Sequence, residues 1–190
     1  ARPATNVAEC IKHLKANPGK LSYGSPGQGS SPHLAGEMFK RMAGVDAVHA
    51  PYKGAGPALS DVLSGQLQFW FDPGPGLKQV EAGKLRLLAI GSPHRSPQYP
   101  NVPTLAESGL PGFDADTLFG IYAPTGTPES VIEAVRTAVA KALEQKNVND
   151  VILTLGATPA PLSRKAFIDH HATERERFGE LVKAIGLKVD

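Results

Sequence analysis

The chain lacks several features, and each absence limits what it can be. It has one cysteine, Cys10, so no disulfide can form within the chain and the redox compartment stays open. Its longest apolar runs fall far short of the roughly 20 residues that a membrane-spanning helix needs. It has no block of basic residues, and its net charge is only +2. A nucleic-acid partner is therefore not expected.

The sequence also lacks the signatures of several common sites. No Gly-Lys-Ser/Thr follows the glycine turn near residue 27, which excludes a P-loop, and Pro32 stands where a dinucleotide fingerprint needs its third glycine. His170 and His171 are adjacent on a predicted helix and diverge by about 100°. The remaining histidines have no partner at metal-ligand spacing. We therefore expect no metal site and no cofactor.

What the sequence does contain is an ordinary globular composition with alternating strands and helices. Its 190 residues are enough to bury a core, in one large domain or two small ones. Alternation through residues 6–90 is typical of an α/β fold with a parallel sheet. The predicted helices are Asn6–Ala16, a helix from the Ser30 N-cap and Pro32 to Ala43, Pro57–Leu63 and Lys78–Ala82, and the predicted strands are Leu21–Tyr23, Ala47–Ala50, Leu67–Phe71 and Leu85–Ile90. The second of these helices is expected to bury Leu34, Met38 and Met42.

The second half of the chain has a different pattern. Gly91–Gly112 is a long connection rich in proline, glycine and serine, of the kind that is functional or joins lobes. A strand at Leu118–Ala123 and three helices follow it. A single strand with helices cannot easily close its own core, so we expect this part to pack on strands that lie elsewhere. The three helices are one capped by Thr127 that buries Ile132, Val135, Val139 and Leu143, one at Val148–Leu155, and a long one capped by Ser163.

The stretch with the most functional content runs Leu21-Ser-Tyr-Gly-Ser-Pro-Gly-Gln-Gly-Ser-Ser-Pro-His-Leu-Ala35. It predicts a short strand, a glycine turn and the start of a helix. The unpaired N–H groups and partial positive charge of a helix N-terminus make a site for a carboxylate or phosphate. Serine hydroxyls can add further donors, although a tight turn without a ligand is the alternative. The residues predicted for this anion site are Ser25, Gly27, Gln28, Gly29, Ser30, Ser31 and His33.

Two further positions can contribute to a ligand site. Asp72 follows a predicted strand, and the carboxyl ends of strands are where open α/β sheets bind ligands. A turn or helix-capping role is the alternative for this residue. Tyr52 and Lys53 follow another strand, where they can offer a hydroxyl and a positive charge or simply form a surface turn.

An enzymatic interpretation rests on Ser30 and His33, which would serve a small α/β hydrolase or transferase. No Gly-x-Ser-x-Gly elbow surrounds the serine. At a helix start His33 points along the helix flank, which places it poorly as a base for Ser30. Local packing or hydrogen bonding of this histidine is favoured, and we expect no enzyme activity.

Several motifs, in order, resemble one family over nearly the whole chain. After the glycine–serine loop come His49-Ala-Pro-Tyr-Lys-Gly54, Ala82-Gly-Lys-Leu-Arg-Leu-Leu-Ala89, Pro100-Asn-Val-Pro-Thr104 and Ala123-Pro-Thr-Gly-Thr-Pro128. Together they resemble the substrate-binding proteins of tripartite tricarboxylate transporters, the Bug or TctC-like periplasmic receptors of bacteria.

The resemblance implies a periplasmic binding protein fold of type II, in which two lobes close on a small carboxylic acid. Residues 6–112 match the second lobe nearly completely, and residues 113–190 match only the carboxyl-terminal part of the first lobe, mainly helical. In such receptors loop N–H groups and hydroxyls hold the ligand carboxylate, which corresponds here to Ser25–Ser31, and Asp72 matches a position near the distal end of the ligand. The implied partners are a mono-, di- or tricarboxylate and the membrane subunits of the transporter.

Family members begin with a signal peptide and a further part of the first lobe, neither of which is found in this sequence. We therefore expect a truncated receptor that carries half of a binding cleft and binds weakly. Exchange of residues 118–190 between two chains, giving a dimer, is a second expectation. A non-binding remnant that serves only as an interaction module is the remaining alternative.

Overall fold

A computed structural model describes residues 4–187, which contain one sheet of three parallel strands. The strands lie in the order β2-β1-β3, so Tyr23 pairs with His49 on one side and with Phe69 on the other. The strands are β1 (Ser22–Ser25), β2 (Val48–Pro51) and β3 (Phe69–Trp70). The helices are α1 (Val7–Ala16), α2 (Ser31–Ala43), α3 (Ala55–Ser64), α4 (Leu77–Glu81), α5 (Glu129–Leu143), α6 (Lys146–Thr154) and α7 (Arg164–Ala184).

Local signals set the ends of several helices. The Asn6 side chain accepts the Glu9 N–H at the start of α1, and the Glu9 carboxylate accepts the Thr5 N–H in return. The bond to Asn6 satisfies one of the N–H groups that a helix start leaves unpaired, and the bond to Thr5 fastens the residue before the cap to the first turn. At its other end α2 stops at Gly44, whose φ of +61° suits glycine.

Helices cover both faces of the sheet, and because successive side chains of β1 point to opposite faces, neighbouring residues of this strand contact different helices. Tyr23 and Ser25 face α2, whereas Gly24 faces the opposite side. There a Cβ on Gly24 would lie 2.5 Å from the Leu67 side chain and 3.6 Å from Ala58 of α3. Glycine at position 24 therefore lets α3 and the segment before β3 pack closely on the sheet.

A row of three rings crosses the face that α2 covers. The Tyr23 ring lies 5.0 Å from the His49 ring and 5.5 Å from the Phe69 ring, between centroids. Residues of α2 spaced by three cover the row in turn: His33 stacks on His49, Gly36 lies on Tyr23, and Phe39 meets Phe69 edge-on. This spacing matches the pitch of a helix, so one stripe of α2 follows one row of the sheet.

The face of α2 that is buried differs from the predicted one. Its buried residues are Pro32, His33, Ala35, Gly36, Phe39 and Ala43. Leu34 and Met38 are only half-buried, and Met42 is 38% exposed. The prediction followed the largest aliphatic side chains, but Tyr23 already fills the space beneath the helix. The residue of α2 that lies over the Tyr23 ring must therefore be small, and Gly36 occupies that position.

Two predictions for strands in the first part need correction. Leu67–Phe71 is a strand only at Phe69–Trp70, and Leu85–Ile90 is not a strand. Ile90 instead makes a single bridge with Thr104, through hydrogen bonds to Pro103 and Leu105. An apolar segment becomes a strand only when a neighbouring strand supplies a continuous ladder of hydrogen bonds, and residues 103–105 form only one bridge with it.

Predictions for the second half need correction as well. Residues 118–123 form no strand among the described residues, and the side chain of Phe119 is 81% exposed. The stripe of α5 is not buried, because within residues 4–187 no residue after Phe113 is buried. The hydroxyl of Thr127 bonds the Pro124 carbonyl, and the helix begins one residue later than predicted. In contrast, Ser163 caps α7 as predicted, by accepting the Ala166 N–H.

The contact between α2 and Tyr23 gives a direct test of this packing. A Cβ at position 36 would lie within 2.8 Å of three atoms of the Tyr23 ring. We expect Gly36→Ala to lower the free energy of unfolding by about 1–3 kcal/mol, measured by urea denaturation, because overpacking displaces the helix. Gly179→Ala in α7 is the matched control. No heavy atom lies within 4 Å of its added Cβ, so it should raise stability by up to about 1 kcal/mol. Equal effects of the two substitutions would contradict the packing described.

Candidate functional site

The glycine–serine loop lies at the carboxyl edge of the sheet, between β1 and α2. The turn that follows β2 supports it from the side. Tyr52 N–H donates to the Ser25 carbonyl at 2.9 Å, and Gly54 N–H donates to the Pro26 carbonyl at 2.9 Å. Backbone bonds between two neighbouring turns therefore fix where the loop starts.

Two serine hydroxyls converge on one carbonyl group of the loop. Ser30 Oγ donates to the Gly27 carbonyl at 2.7 Å, and Ser25 Oγ lies 2.9 Å from the same oxygen. Ser25 is completely buried, at 0% exposure. Because C=O and N–H point in opposite directions across a trans peptide, this arrangement turns the Gln28 N–H away from the serine pair. Ser25 and Ser30 thus orient the loop backbone.

The first turn of α2 begins directly after this loop. Ser30 occupies the N-cap position, but its hydroxyl bonds the loop and makes no capping bond to the helix. The N–H groups of Ser31 and His33 have no acceptor within the helix, as in any first turn, and Pro32 has no N–H. The helix dipole adds about half a positive charge at this end. The arrangement is suited to a carboxylate group.

His33 links the helix back to the loop. Its Nδ1 accepts the Gly29 N–H at 3.0 Å, and its side chain is 5% exposed. Its ring stacks on the His49 ring with 3.7 Å between centroids and 10° between planes. Burial lowers the pKa of His33 below its usual value. In this structure the Gly29 N–H is therefore bonded within the protein.

His49 is a residue that the sequence did not indicate as part of the site. Its Nε2 lies 2.7 Å from Ser25 Oγ, and burial together with the adjacent His33 lowers its pKa from 6.5 to about 4. In sequence His49 has no partner at a recognisable spacing. Its role follows from the parallel pairing of β1 with β2, which places it beside Tyr23 and below α2.

Behind the histidines a second polar group fastens α2 to the sheet. Tyr23 Oη donates to Glu37 Oε1 at 2.7 Å, and Lys40 Nζ bonds the same oxygen at 2.8 Å. Burial and the Glu37 carboxylate raise the pKa of Tyr23 far above its usual value. Burial alone would raise the pKa of Glu37, but the bonds from Lys40 and Tyr23 hold it below its usual value.

Asp72 has a structural role in this conformation. Its Oδ1 accepts the Gly74 N–H at 2.9 Å and the Gly76 N–H at 3.1 Å, just ahead of α4. Burial raises its pKa, against the lowering effect of these backbone bonds. It also lines a groove of about 840 Å³ that Ser31 and Pro32 line at another point. Asp72 and the start of α2 therefore border one groove without contacting each other through a hydrogen bond.

Tyr52 is half-buried, whereas Lys53 is turned towards the surface. The Tyr52 hydroxyl donates to Asp61 Oδ2 at 2.6 Å, and this bond raises the pKa of Tyr52. Lys53 is exposed. The structure therefore assigns Tyr52 a bond to α3 and leaves Lys53 as a surface charge near the loop.

The geometry also bears on the enzymatic alternative. Ser30 and His33 are not joined by a hydrogen bond, because the hydroxyl of Ser30 bonds Gly27 and Nδ1 of His33 bonds Gly29. Ser25 and His49 do form a serine–histidine pair, but Ser25 is completely buried and cannot reach a substrate. Within residues 4–187, no group of three or more metal-ligating side chains is assembled. Over the same residues, no helix is long and apolar enough to cross a bilayer.

Comparison with known protein families and curated proteins places these observations in context. The model of the tripartite tricarboxylate transporter family receptor, TctC, matches residues 1–187. A UPF0065 protein from the tcbD–tcbE intergenic region of Pseudomonas sp. strain P51 is 37% identical over 179 residues, which are 93% of this chain and 53% of that protein. Protein BugT of Bordetella pertussis is 36% identical over 187 residues, 96% of this chain and 55% of that protein. The chain thus spans about half the length of these relatives.

Solved structures with the same fold include two that hold a dicarboxylate. R. palustris Rpa4515 with adipate has a TM-score of 0.89 at 34% identity, over 97% of this chain and 62% of that one. The periplasmic binding protein BugD has a TM-score of 0.84 at 30% identity, over 98% and 63%. MatC of Rhodopseudomonas palustris with bound malate has a TM-score of 0.80 at 27% identity, over 95% and 63%. These neighbours confirm the predicted α/β periplasmic-binding-protein class.

The buried tyrosine bond can be tested with a matched pair of substitutions. Tyr23→Phe removes the donor to Glu37, and we expect it to lower the free energy of unfolding by about 1–2 kcal/mol. Tyr52→Phe removes a hydroxyl that bonds Asp61 near the surface, where water can replace it, so its loss should be smaller. Urea denaturation of both variants measures the difference. Equal losses would show that the Tyr23–Glu37 bond does not fasten α2.

Proposed function

Because the chain belongs to the tripartite tricarboxylate transporter receptor family, we propose that it acts in an extracytoplasmic receptor for small carboxylic acids. The observation that carries the proposal is the loop between β1 and α2. Two hydroxyls orient its backbone, and the first turn of α2 follows with N–H groups directed at the same edge of the sheet. Backbone donors at a helix N-terminus favour a carboxylate without any catalytic group. Receptors, not enzymes, make up the family and the structural neighbours.

Within this loop the residues divide into two roles. Ser31 and His33 lie in the first turn of α2, and their backbone N–H groups would contact one carboxylate of the ligand. Ser25, Gly27, Gly29 and Ser30 shape the backbone that presents those donors. Asp72 borders the same groove further along, where it would meet the distal part of a longer acid.

We also propose how the chain divides between the two lobes of such a receptor. Residues 6–112 would form the lobe that carries the glycine–serine loop, and residues 113–190 would belong to the other lobe. Support comes from burial, because among the described residues the last buried side chain is that of Phe113. A segment without buried side chains needs strands from elsewhere to complete a core.

Two solved neighbours support the proposed ligand class. Rpa4515 was solved with adipate and MatC with malate, which are both small dicarboxylates. By analogy this chain would bind mono-, di- or tricarboxylates in the periplasm and deliver them to the membrane subunits of a tripartite transporter. The net charge of the chain is only +2, so its overall charge attracts such anions weakly. The local donors at the loop would have to supply most of the attraction.

An amide NMR titration with acetate, malate, adipate and citrate tests the proposal. We expect shifts concentrated at residues 24–33 and weak affinity, because a single loop supplies few donors and does not exclude water. Adipamide, which has the same length without charge, should cause no shifts. Ser30→Ala should weaken binding modestly, by at most about tenfold, since one hydrogen bond to the loop is lost.

Ser163→Ala, which removes the capping serine of α7, is the matched control and should leave the affinity unchanged. The absence of shifts with every acid would overturn the receptor proposal for this chain. Micromolar binding would contradict the expected weakness. Turnover of a model ester that Ser30→Ala abolishes would favour the hydrolase alternative instead.

A second proposal concerns self-association through the second half. Phe119, Ile121 and Tyr122 are 81%, 68% and 64% exposed, and their segment forms no strand among residues 4–187. Exposed apolar residues whose backbone is not paired in a sheet can pair with another chain. We expect exchange of residues 118–190 to give a dimer, which multi-angle light scattering would detect. Ile121→Glu should shift the population to monomer, and a monomer at high concentration for the unmodified chain would contradict the exchange.

A further inference from the structure

Two stacked imidazole rings connect the glycine–serine loop to the sheet. His33 approaches from α2 and His49 from β2, and each contacts the loop with a different nitrogen. His33 Nδ1 accepts the Gly29 N–H, and His49 Nε2 bonds the hydroxyl of Ser25. The two contacts lie on either side of the Gly27–Gln28 peptide, whose carbonyl the serines hold. The stack therefore touches both ends of the turn that would face a ligand.

We infer that His33 and His49 are positioning residues, which hold the loop in its donor-presenting conformation only while both rings are uncharged. The part of this inference that concerns carboxylate binding rests on the function proposed above. The part that concerns the conformation of the loop stands on the contacts of the free protein.

The hydrogen-bond chemistry requires a particular protonation state. The Gly29 N–H can only donate, so His33 Nδ1 must carry no proton, and the neutral ring carries its proton on Nε2. A second proton on His33 would set two donors against each other at 3.0 Å. It would also place a charge against the His49 ring, 3.7 Å away between centroids. Acidification should therefore release Gly29 and, with it, the loop.

The charged and titratable groups around the stack do not remove this requirement. Glu37 and Lys40 of α2 act on both rings with opposite signs, and Tyr23 of β1 is held neutral by its bond to Glu37. Burial is the largest influence on both rings and lowers their pKa, for His49 to about 4. The rings are thus neutral at neutral pH.

The direction of the pH effect separates positioning from direct ligand contact. Because the folded-state pKa values lie below the unfolded value of 6.5, the stability that the neutral rings contribute is complete above about pH 6.5. It is lost as the pH falls towards 4, and the order of the loop should be lost with it. A histidine that contacts the anion directly would do the opposite, because its positive charge would strengthen binding at low pH.

The first test uses the unmodified chain without any ligand. Ring ¹⁵N shifts report the tautomer and the titration of each histidine, and hydrogen exchange reports the protection of the Gly29 amide. We expect His33 to carry its proton on Nε2 at neutral pH, and protection of Gly29 to fall together with protonation of the pair. A protonated Nδ1 on His33 at neutral pH, or a Gly29 amide that stays protected after the rings are charged, would overturn the inference.

Paired variants then test each contact. His33→Asn keeps an acceptor at the place of Nδ1, and His49→Gln keeps a polar group at the place of Nε2, whereas His33→Leu and His49→Leu remove them. We expect the Leu variants to lose protection at Gly29 by about tenfold or more, and the amide variants to retain most of it. Circular dichroism identifies any variant that fails to fold. His94→Gln, at an exposed position outside the loop, is the control.

Titration of the same variants with adipate and malate tests the positioning inference and the receptor proposal together. If the Leu variants weaken binding by about tenfold and the amide variants restore it, both positioning and receptor function are supported. If Gly29 responds as expected but neither acid shifts any amide, positioning stands and the receptor proposal fails. If the acids bind equally well to all variants, the loop does not depend on the histidines and the positioning inference is wrong.

Discussion

The approach of α2 to the sheet over Gly36 is the constraint on which the rest of this structure depends. The Tyr23 ring occupies the space that a side chain at position 36 would need. Close contact there brings Phe39 against Phe69 and His33 against His49, so one helix covers a whole row of rings. Dispersion contacts of this kind are individually small but add up across a close-packed interface. The hydrogen bond from Tyr23 of β1 to Glu37 of α2 completes the attachment.

The attachment of α2 to the sheet also determines the geometry of the loop between β1 and α2. Because α2 cannot slide on the sheet, the distance between the end of β1 and the start of the helix is fixed. Within that gap the buried hydroxyl of Ser25 and the hydroxyl of Ser30 orient one peptide, and the Gly29 N–H is bonded to His33. Preorganised donors cost little further ordering when a ligand binds, which is how a small site gains affinity. The packing of the helix on the sheet therefore also fixes the conformation of the loop between them.

Much of the fold was predictable because local chemistry decides it. The alternation of strands and helices as far as the end of α4 at Glu81, the cap at Ser163 and the glycines that end helices depend on neighbouring residues in the chain. The turn between β1 and α2 was predictable for the same reason, since a glycine turn before a helix start is a local pattern. The buried face of α2 was predicted wrongly. The sequence favoured Leu34, Met38 and Met42 because they are more hydrophobic than Gly36, but the Tyr23 ring of the sheet leaves room only for a glycine at the contact. The strands predicted at 85–90 and 118–123 failed because a ladder needs a neighbour that sequence cannot supply.

The sequence by itself determined the fold class, most helices and the position of a loop that can hold an anion, since each follows from periodicity, capping residues and glycine placement. Only the tertiary structure decided that His49 bonds Ser25, that Ser25 is completely buried, and that Asp72 accepts the N–H groups of the turn that follows it. The physical reason is that hydrogen bonds between side chains depend on distances between strands and helices. Those distances are set by packing, which joins residues far apart in the chain.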